Sequence, residues 1–237
     1  MRDYIRAQWQ AKAFESQDDA SFALIPTTTS ISRQSLLTGK YPQEIDNPFS
    51  LAKEESGFYE KAASLGYTGT QAFYGRGLDA EPGYQTQLAV IIINAIDDIM
   101  HGQLQGDVGM AQDLTLFAQD ERLTTLIRRL CSTGFTVYIT SDPGHLSCTG
   151  NGLTKRFGLE AETKAQRLVI LKDFAEASEA LLEATHAFPG TYLDKNYQYL
   201  IAREDGAFAS LDRKLVTHGG VSIEEVIVPF IKIIGVK

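Results

Sequence analysis

Leu88-Ala89-Val90-Ile91-Ile92-Ile93, with Asp97 and His101 a few residues beyond, is the stretch that decides the fold. An unbroken apolar run of strand length, with no alternating polar positions, is the pattern of a strand buried on both faces in a helix-covered parallel sheet. The surrounding pattern agrees with that reading. Glu54 to Leu65 reads as a helix ending before Gly66. Residues 110 to 132 place Leu114, Phe117, Leu123, Leu126, Ile127 and Leu130 on one helical face, and Gly134 stops them. A strand is expected at Phe135 to Thr140, another at Arg167 to Leu171, and a helix at Phe174 to Ala184. A hairpin is expected around Glu204-Asp205-Gly206 and a last strand at Val226 to Ile234. Toward the other end, residues 4 to 15 read as helix, Phe22 to Ile25 as a short strand and residues 31 to 38 as helix. Strands alternating with helices predict one α/β domain over 1–237, a three-layer α/β/α sandwich with a mostly parallel sheet.

Composition supports a sizeable core and narrows the function classes. Of 237 residues, 43% are hydrophobic and 22% charged, which fits a globular domain and not a disordered chain. Thirty acidic against 22 basic residues give a net charge of −8, which argues against broad nucleic-acid binding and makes a phosphorylated substrate depend on cations. Cys131 and Cys148 form neither a disulfide framework nor a zinc-finger spacing, so a reducing cytoplasm is the expected compartment. No apolar run approaches the ~20 residues of a membrane span, and no signal-peptide layout opens the chain. Met1-Arg2-Asp3-Tyr4-Ile5 enters a helical pattern directly, so a first strand is expected to be missing and the domain to be N-terminally incomplete.

In an open α/β sheet, the loops at the carboxyl ends of the strands build the site. Ile25-Pro26-Thr27-Thr28-Thr29-Ser30-Ile31-Ser32-Arg33 is one such loop opening a helix. One hydroxyl there is expected to cap the helix. A threonine at a helix N-terminus also has amide dipoles that favour an anion, so it can attack phosphorus when a metal lowers its pKa. Arg33, one turn along, is placed to clamp phosphate oxygens. Asp97 and His101, four apart, share a helix face and suit one metal; alone, they read more readily as a helix-start carboxylate and a surface histidine, and their convergence with other strand-end loops is what favours the ligand reading. His218, in Thr217-His218-Gly219-Gly220, is the candidate third ligand because the glycines permit close backbone approach. Such a donor set suits zinc and also manganese. Asp142 follows the strand at 135 to 140, and Lys155 and Arg156 in the next loop are candidate phosphate contacts, or solvated bases. His186 reads as structural.

Four blocks carry a resemblance: Ile-Pro-Thr-Thr-Thr-Ser-Ile-Ser-Arg-Gln-Ser-Leu-Leu-Thr-Gly-Lys-Tyr-Pro at 25–42, Ile-Asp-Asp-Ile-Met-His at 96–101, Thr-Ser-Asp-Pro-Gly-His at 140–145, and Thr-His-Gly-Gly-Val-Ser-Ile-Glu-Glu-Val-Ile-Val-Pro at 217–229. The first and last are specific; the middle two are weak in isolation. Together they resemble a PglZ domain, a branch of the alkaline phosphatase superfamily associated with BREX-type phage defence, over nearly the whole length. The resemblance implies Thr29 as nucleophile, Asp97, His101 and His218 as one metal site, and Asp142 as a ligand of a second. Two departures affect that second site. The superfamily's first-strand aspartate has no counterpart, and Asp142-Pro143-Gly144 stands where the family usually shows Asp-His-Gly. Proline cannot ligate a metal, so His145, two places later, is the candidate substitute. The implied function is a metal-dependent phosphohydrolase acting on phosphodiesters such as nucleotides or nucleic acid. The alternative is a catalytically impaired module that scaffolds other defence-system proteins.

Overall fold

A computed structural model describes residues 14–102, 106–153, 165–172 and 177–236. In chain order the elements are β1 (Phe14–Phe22), α1 (Thr29–Thr38), α2 (Glu54–Ser64), β2 (Ala72–Arg76), β3 (Leu88–Ile92), α3 (Ala95–His101), α4 (Gly106–Gln119) and α5 (Arg122–Ser132). They continue as β4 (Tyr138–Thr140), β5 (Leu146–Gly150), β6 (Leu168–Leu171), α6 (Glu179–Glu183), β7 (Thr185–Phe188), β8 (Gln198–Ala202), β9 (Gly206–Ala207), β10 (Lys214–Thr217), α7 (Ile223–Val226) and β11 (Ile227–Val236). The chain divides into two compact units: residues 1–21, 58–141 and 229–237, and residues 22–57 and 142–228.

In the first unit the strand order is β1-β11-β4, with Ile231 opposite Ile139, and β2 pairs in parallel with β3. Its core joins Phe14, Ile127, Ile231 and Ile233, so the apolar stripe of α5 is what covers this small sheet. In the second unit β6-β8-β7 forms one sheet and β10-β5-β9 another. Leu168-Val169-Ile170-Leu171 is buried throughout. Successive strand side chains face opposite ways. Leu168 and Ile170 therefore pack with Ile31 of α1, while Val169 and Leu171 pack with Leu181 of α6. A helix thus lies on each face of this sheet, and Ile31 anchors the helix that Thr29 begins.

Several expectations need correction. The mostly parallel sheet is not what these strands build: β2–β3 and β5–β9 are parallel, but β10–β5, β11–β4, β6–β8 and β7–β8 are antiparallel, in small sheets. The Leu88–Ile92 run is only half-buried along its length, so apolar continuity overstated its burial. Of the helix expected at 4–15, residues 4–13 lie outside the described residues, and Phe14 and Glu15 belong to β1. That strand ends at Phe22, where one was expected to begin. The long helix at 110–132 is two helices. Asp120 accepts the Arg122 backbone N–H at 3.1 Å and pairs with its side chain, offering the backbone a local partner that competes with helix continuation. The same hydrogen bonds hold the Asp120 carboxyl below its ordinary pKa. The helix at 174–184 shortens to α6, with 173–176 outside the described residues. The turn at Glu204 exists, with φ 47°, but its far arm β9 pairs in parallel with β5 and not back onto β8. Strand β5 occupies part of the segment expected to be loop.

Candidate functional site

Thr29 opens α1, a buried helix whose sequence Thr-Ser-Ile-Ser-Arg-Gln-Ser packs small hydroxyls around Ile31. Thr28 is the N-cap by backbone conformation, yet its side chain makes no capping hydrogen bond, contrary to the expected hydroxyl cap. The Thr28 hydroxyl is buried and makes no hydrogen bond among the described residues. Thr27 Oγ1 accepts the Gly219 N–H at 3.1 Å and lies 3.1 Å from the Gly220 carbonyl. The loop before the helix is thereby stitched to the His218-Gly219-Gly220 turn. Gly219 needs its glycine, since it sits at φ 114°.

His218 is fully buried, and its Nδ1 lies 2.8 Å from the Thr27 carbonyl oxygen. A carbonyl only accepts, so Nδ1 carries the proton, and in the neutral ring Nε2 then presents its lone pair, the form a metal ligand needs. His145 stands edge-on to this ring, 5.2 Å between centroids and 89° between planes. Ligating atoms of the two rings lie within 4.8 Å of one another. Gly144, the glycine beside His145, which from sequence allows an altered loop path for a histidine two places late, is held tightly against backbone. Its N–H donates to the Glu225 carbonyl at 2.8 Å, and a Cβ there would lie 2.0 Å from the Glu224 carbonyl oxygen. Gly144→Ala is accordingly expected to cost about 3 kcal/mol of stability through overpacking against backbone; a change within about 0.5 kcal/mol in denaturant unfolding would mean that the loop moves freely.

Arg33 is nine-tenths buried, and its Nε lies 2.6 Å from Oε2 of Glu54, itself 1% exposed. One of its terminal nitrogens lies 3.7 Å from Asp142 Oδ2. The guanidinium is therefore held between two carboxylates, and Glu54 is a partner that no sequence signal announced. Cys148 contributes no thiolate: burial pushes its pKa up to about 11, so it stays protonated near neutrality.

In the first unit, α3 begins just beyond β3, and Asp97 Oδ1 lies 3.2 Å from His101 Nε2 across one helical turn. Helix geometry alone makes this pair, as the spacing predicted. Carboxylate plus imidazole here, and two imidazoles with a lone-pair nitrogen on His218, are donor chemistry that fits a divalent metal. Lys155 and Arg156 lie outside the described residues.

No curated protein sequence matches the chain. Among solved structures, murine ectonucleotide pyrophosphatase/phosphodiesterase 5 matches at TM-score 0.59 and 14% identity, covering 97% of this chain and 84% of that one. An inactive threonine-to-alanine variant of the murine protein in complex with AMP matches at TM-score 0.57 and 12% identity, with coverage of 97% and 84%. The human counterpart matches at TM-score 0.54 and 12% identity, covering 97% and 82%. These likenesses show the fold. The model of the BREX system PglZ alkaline phosphatase-like domain matches residues 59–233, and the chain belongs to that phosphoesterase-type family.

Proposed function

We propose that this chain is a metal-dependent phosphohydrolase acting on phosphodiesters, nucleotides or nucleic acid among them, with Thr29 as nucleophile. The observation that carries the reading is the hydrogen bond from His218 Nδ1 to the carbonyl of Thr27, two residues before Thr29. It couples the lone pair of a buried imidazole to the backbone that leads into the nucleophile. The first block of the resemblance, which supplies Thr29, lies ahead of the residues matched by the family model, so the nucleophile rests on the motif and on this geometry. A solved relative made inactive by a threonine-to-alanine change is consistent with it.

Asp97, His101 and His218 are the proposed ligands of one ion, and Asp142 and His145 the donors for a second. Zinc suits this set best, and manganese also suits it. Bound there, such an ion supplies Lewis acidity toward a phosphoryl oxygen and a lowered pKa for a ligated hydroxyl. The protein's own contribution is positional. The first turn of α1, whose N-cap Thr28 makes no capping hydrogen bond with its side chain, is proposed to offer amide N–H groups to a phosphate. Arg33, fixed by Glu54, is the proposed clamp, and Lys155 and Arg156 are the proposed outer phosphate contacts. Among the described residues no helix is long and apolar enough to cross a membrane, and we propose a cytoplasmic protein working with other defence-system proteins. Pro143 favours a second reading, a catalytically impaired module that scaffolds those partners.

Elemental analysis of wild type and His101→Ala, with bis-nitrophenyl phosphate hydrolysis on the same samples, tests this. The expected result is bound zinc or manganese with turnover in wild type, and loss of at least one ion and of turnover in His101→Ala. Metal without turnover would favour the scaffold, and no metal in either protein would overturn the enzymatic reading.

A further inference from the structure

Glu225 has no exposed surface and no part in the proposed chemistry, yet its side chain gathers contacts from three places in the second unit. The Gly220 N–H donates to Oε1 at 2.8 Å and the Ser222 N–H to Oε2 at 3.1 Å. Thr27 Oγ1 lies 3.3 Å from Oε1. Arg167 Nε, also 3.3 Å from Oε1, supplies the counter-charge as an ion-pair contact. Arg167 is itself 2% exposed and anchored by donating to the carbonyls of Gly206 and Glu204, both at 2.7 Å. Capping the single turn of α7 does not require a buried guanidinium. A buried carboxylate beside the His218 turn gains from one, because the ion pair and the backbone N–H groups together satisfy its oxygens.

What the pair touches explains its placement. Through Gly220 it holds one end of the His218 turn. Through Thr27 it holds the other, because the same hydroxyl accepts the Gly219 N–H while the Thr27 carbonyl takes the proton of His218 Nδ1. Gly220 is pressed onto the pair so closely that a Cβ there would lie 2.5 Å from Glu225 Oε2 and 2.7 Å from Arg167 Nε. The backbone carbonyl of Glu225 meanwhile holds Gly144, next to His145. We infer that Glu225, paired with Arg167, is a positioning residue that fixes the tautomer and direction of His218 and ties the loops of Thr29 and His145 to it. Its functional meaning rests on the metal reading above, but its effect on the His218 ring does not.

The test uses the full chain as wild type, Glu225→Gln and Thr27→Val, with Leu181→Ala as a core control that loses stability far from the turn. Glu225→Gln sets an amide N–H₂ among donors; Thr27→Val removes the hydroxyl link and leaves the ion pair intact. Two quantities are read: the ring ¹⁵N shifts of His218 in metal-free protein, and zinc affinity by competition with a chromophoric chelator. Wild type and Leu181→Ala are expected to show one Nδ1–H tautomer and matching affinity. Both turn variants are expected to show mixed tautomers and zinc binding weaker by about 10–100-fold, the usual cost of losing support behind a ligand. If Glu225→Gln fails to fold, Thr27→Val decides. A tautomer and affinity matching Leu181→Ala would overturn the inference. If wild type binds no zinc while the ring still responds, the metal reading falls and the positioning role stands.

Discussion

Thr29→Ala is expected to lower bis-nitrophenyl phosphate hydrolysis by at least about a thousand-fold, the scale on which removal of a covalent nucleophile acts. Stability should move little, by less than about 1 kcal/mol. Two observations support that separation. The helix N-cap is Thr28 and not Thr29, so the Thr29 hydroxyl does not occupy the capping position. Nor does anchorage depend on it, since Ile31 carries the packing of this first turn against β6 and β8. Thr29→Ser keeps a hydroxyl and is expected to retain a measurable fraction of the rate. If Thr29→Ala keeps the wild-type rate, the nucleophile lies elsewhere; if it loses rate and metal together, the threonine acts as a ligand and the kinetic argument fails. Rates and metal content on the same preparations read both.

The candidate residues were more legible in the sequence than the sheet that carries them. Asp97 and His101 needed only the helical period, because four residues bring side chains onto one face whatever the helix packs against. Thr29 at a helix start and the glycines after His218 were legible for the same local reason. Sheet direction was not, because an apolar run such as Leu168–Leu171 reads identically whether its neighbour runs parallel or antiparallel; here β8 runs antiparallel. Glu204-Asp205-Gly206 made its turn, but the partner of β9 was chosen far away, by Thr149 and Gly150. Glu54 and Arg167 were missed because their importance lies in partners 21 and 58 residues distant in sequence, Arg33 and Glu225, a separation that no local pattern encodes. Glu225 did leave a trace. Ser222-Ile223-Glu224-Glu225 has capping-box spacing, and its side chain does reach back to the Ser222 N–H.

Glu54→Ala is expected to cost about 3–5 kcal/mol, the largest loss of stability among these variants, because it strands the Arg33 cation in a buried site. Side-chain exposures of 10% for Arg33 and 1% for Glu54 leave water little access, and the contact is 2.6 Å. Glu54 is also the first residue of α2, where the helix dipole favours a carboxylate. Without it Arg33 retains Asp142 as its acidic neighbour, 3.7 Å away, and drawing that carboxylate closer would take it from any ion it is proposed to bind. Loss of stability alone would leave the role of Arg33 undecided, so the informative variant is Arg33→Met with Glu54→Leu. Replacing both members of a buried ion pair with apolar groups of similar size is often neutral or stabilising. The double variant should therefore melt close to wild type while Glu54→Ala does not. If Arg33 clamps phosphate, the same stable protein should hydrolyse bis-nitrophenyl phosphate far more slowly with its metal content unchanged. Hydrolysis at the wild-type rate would make the pair purely architectural: a strut that fixes α1 to the start of α2 and leaves phosphate binding to the helix amides and the ion.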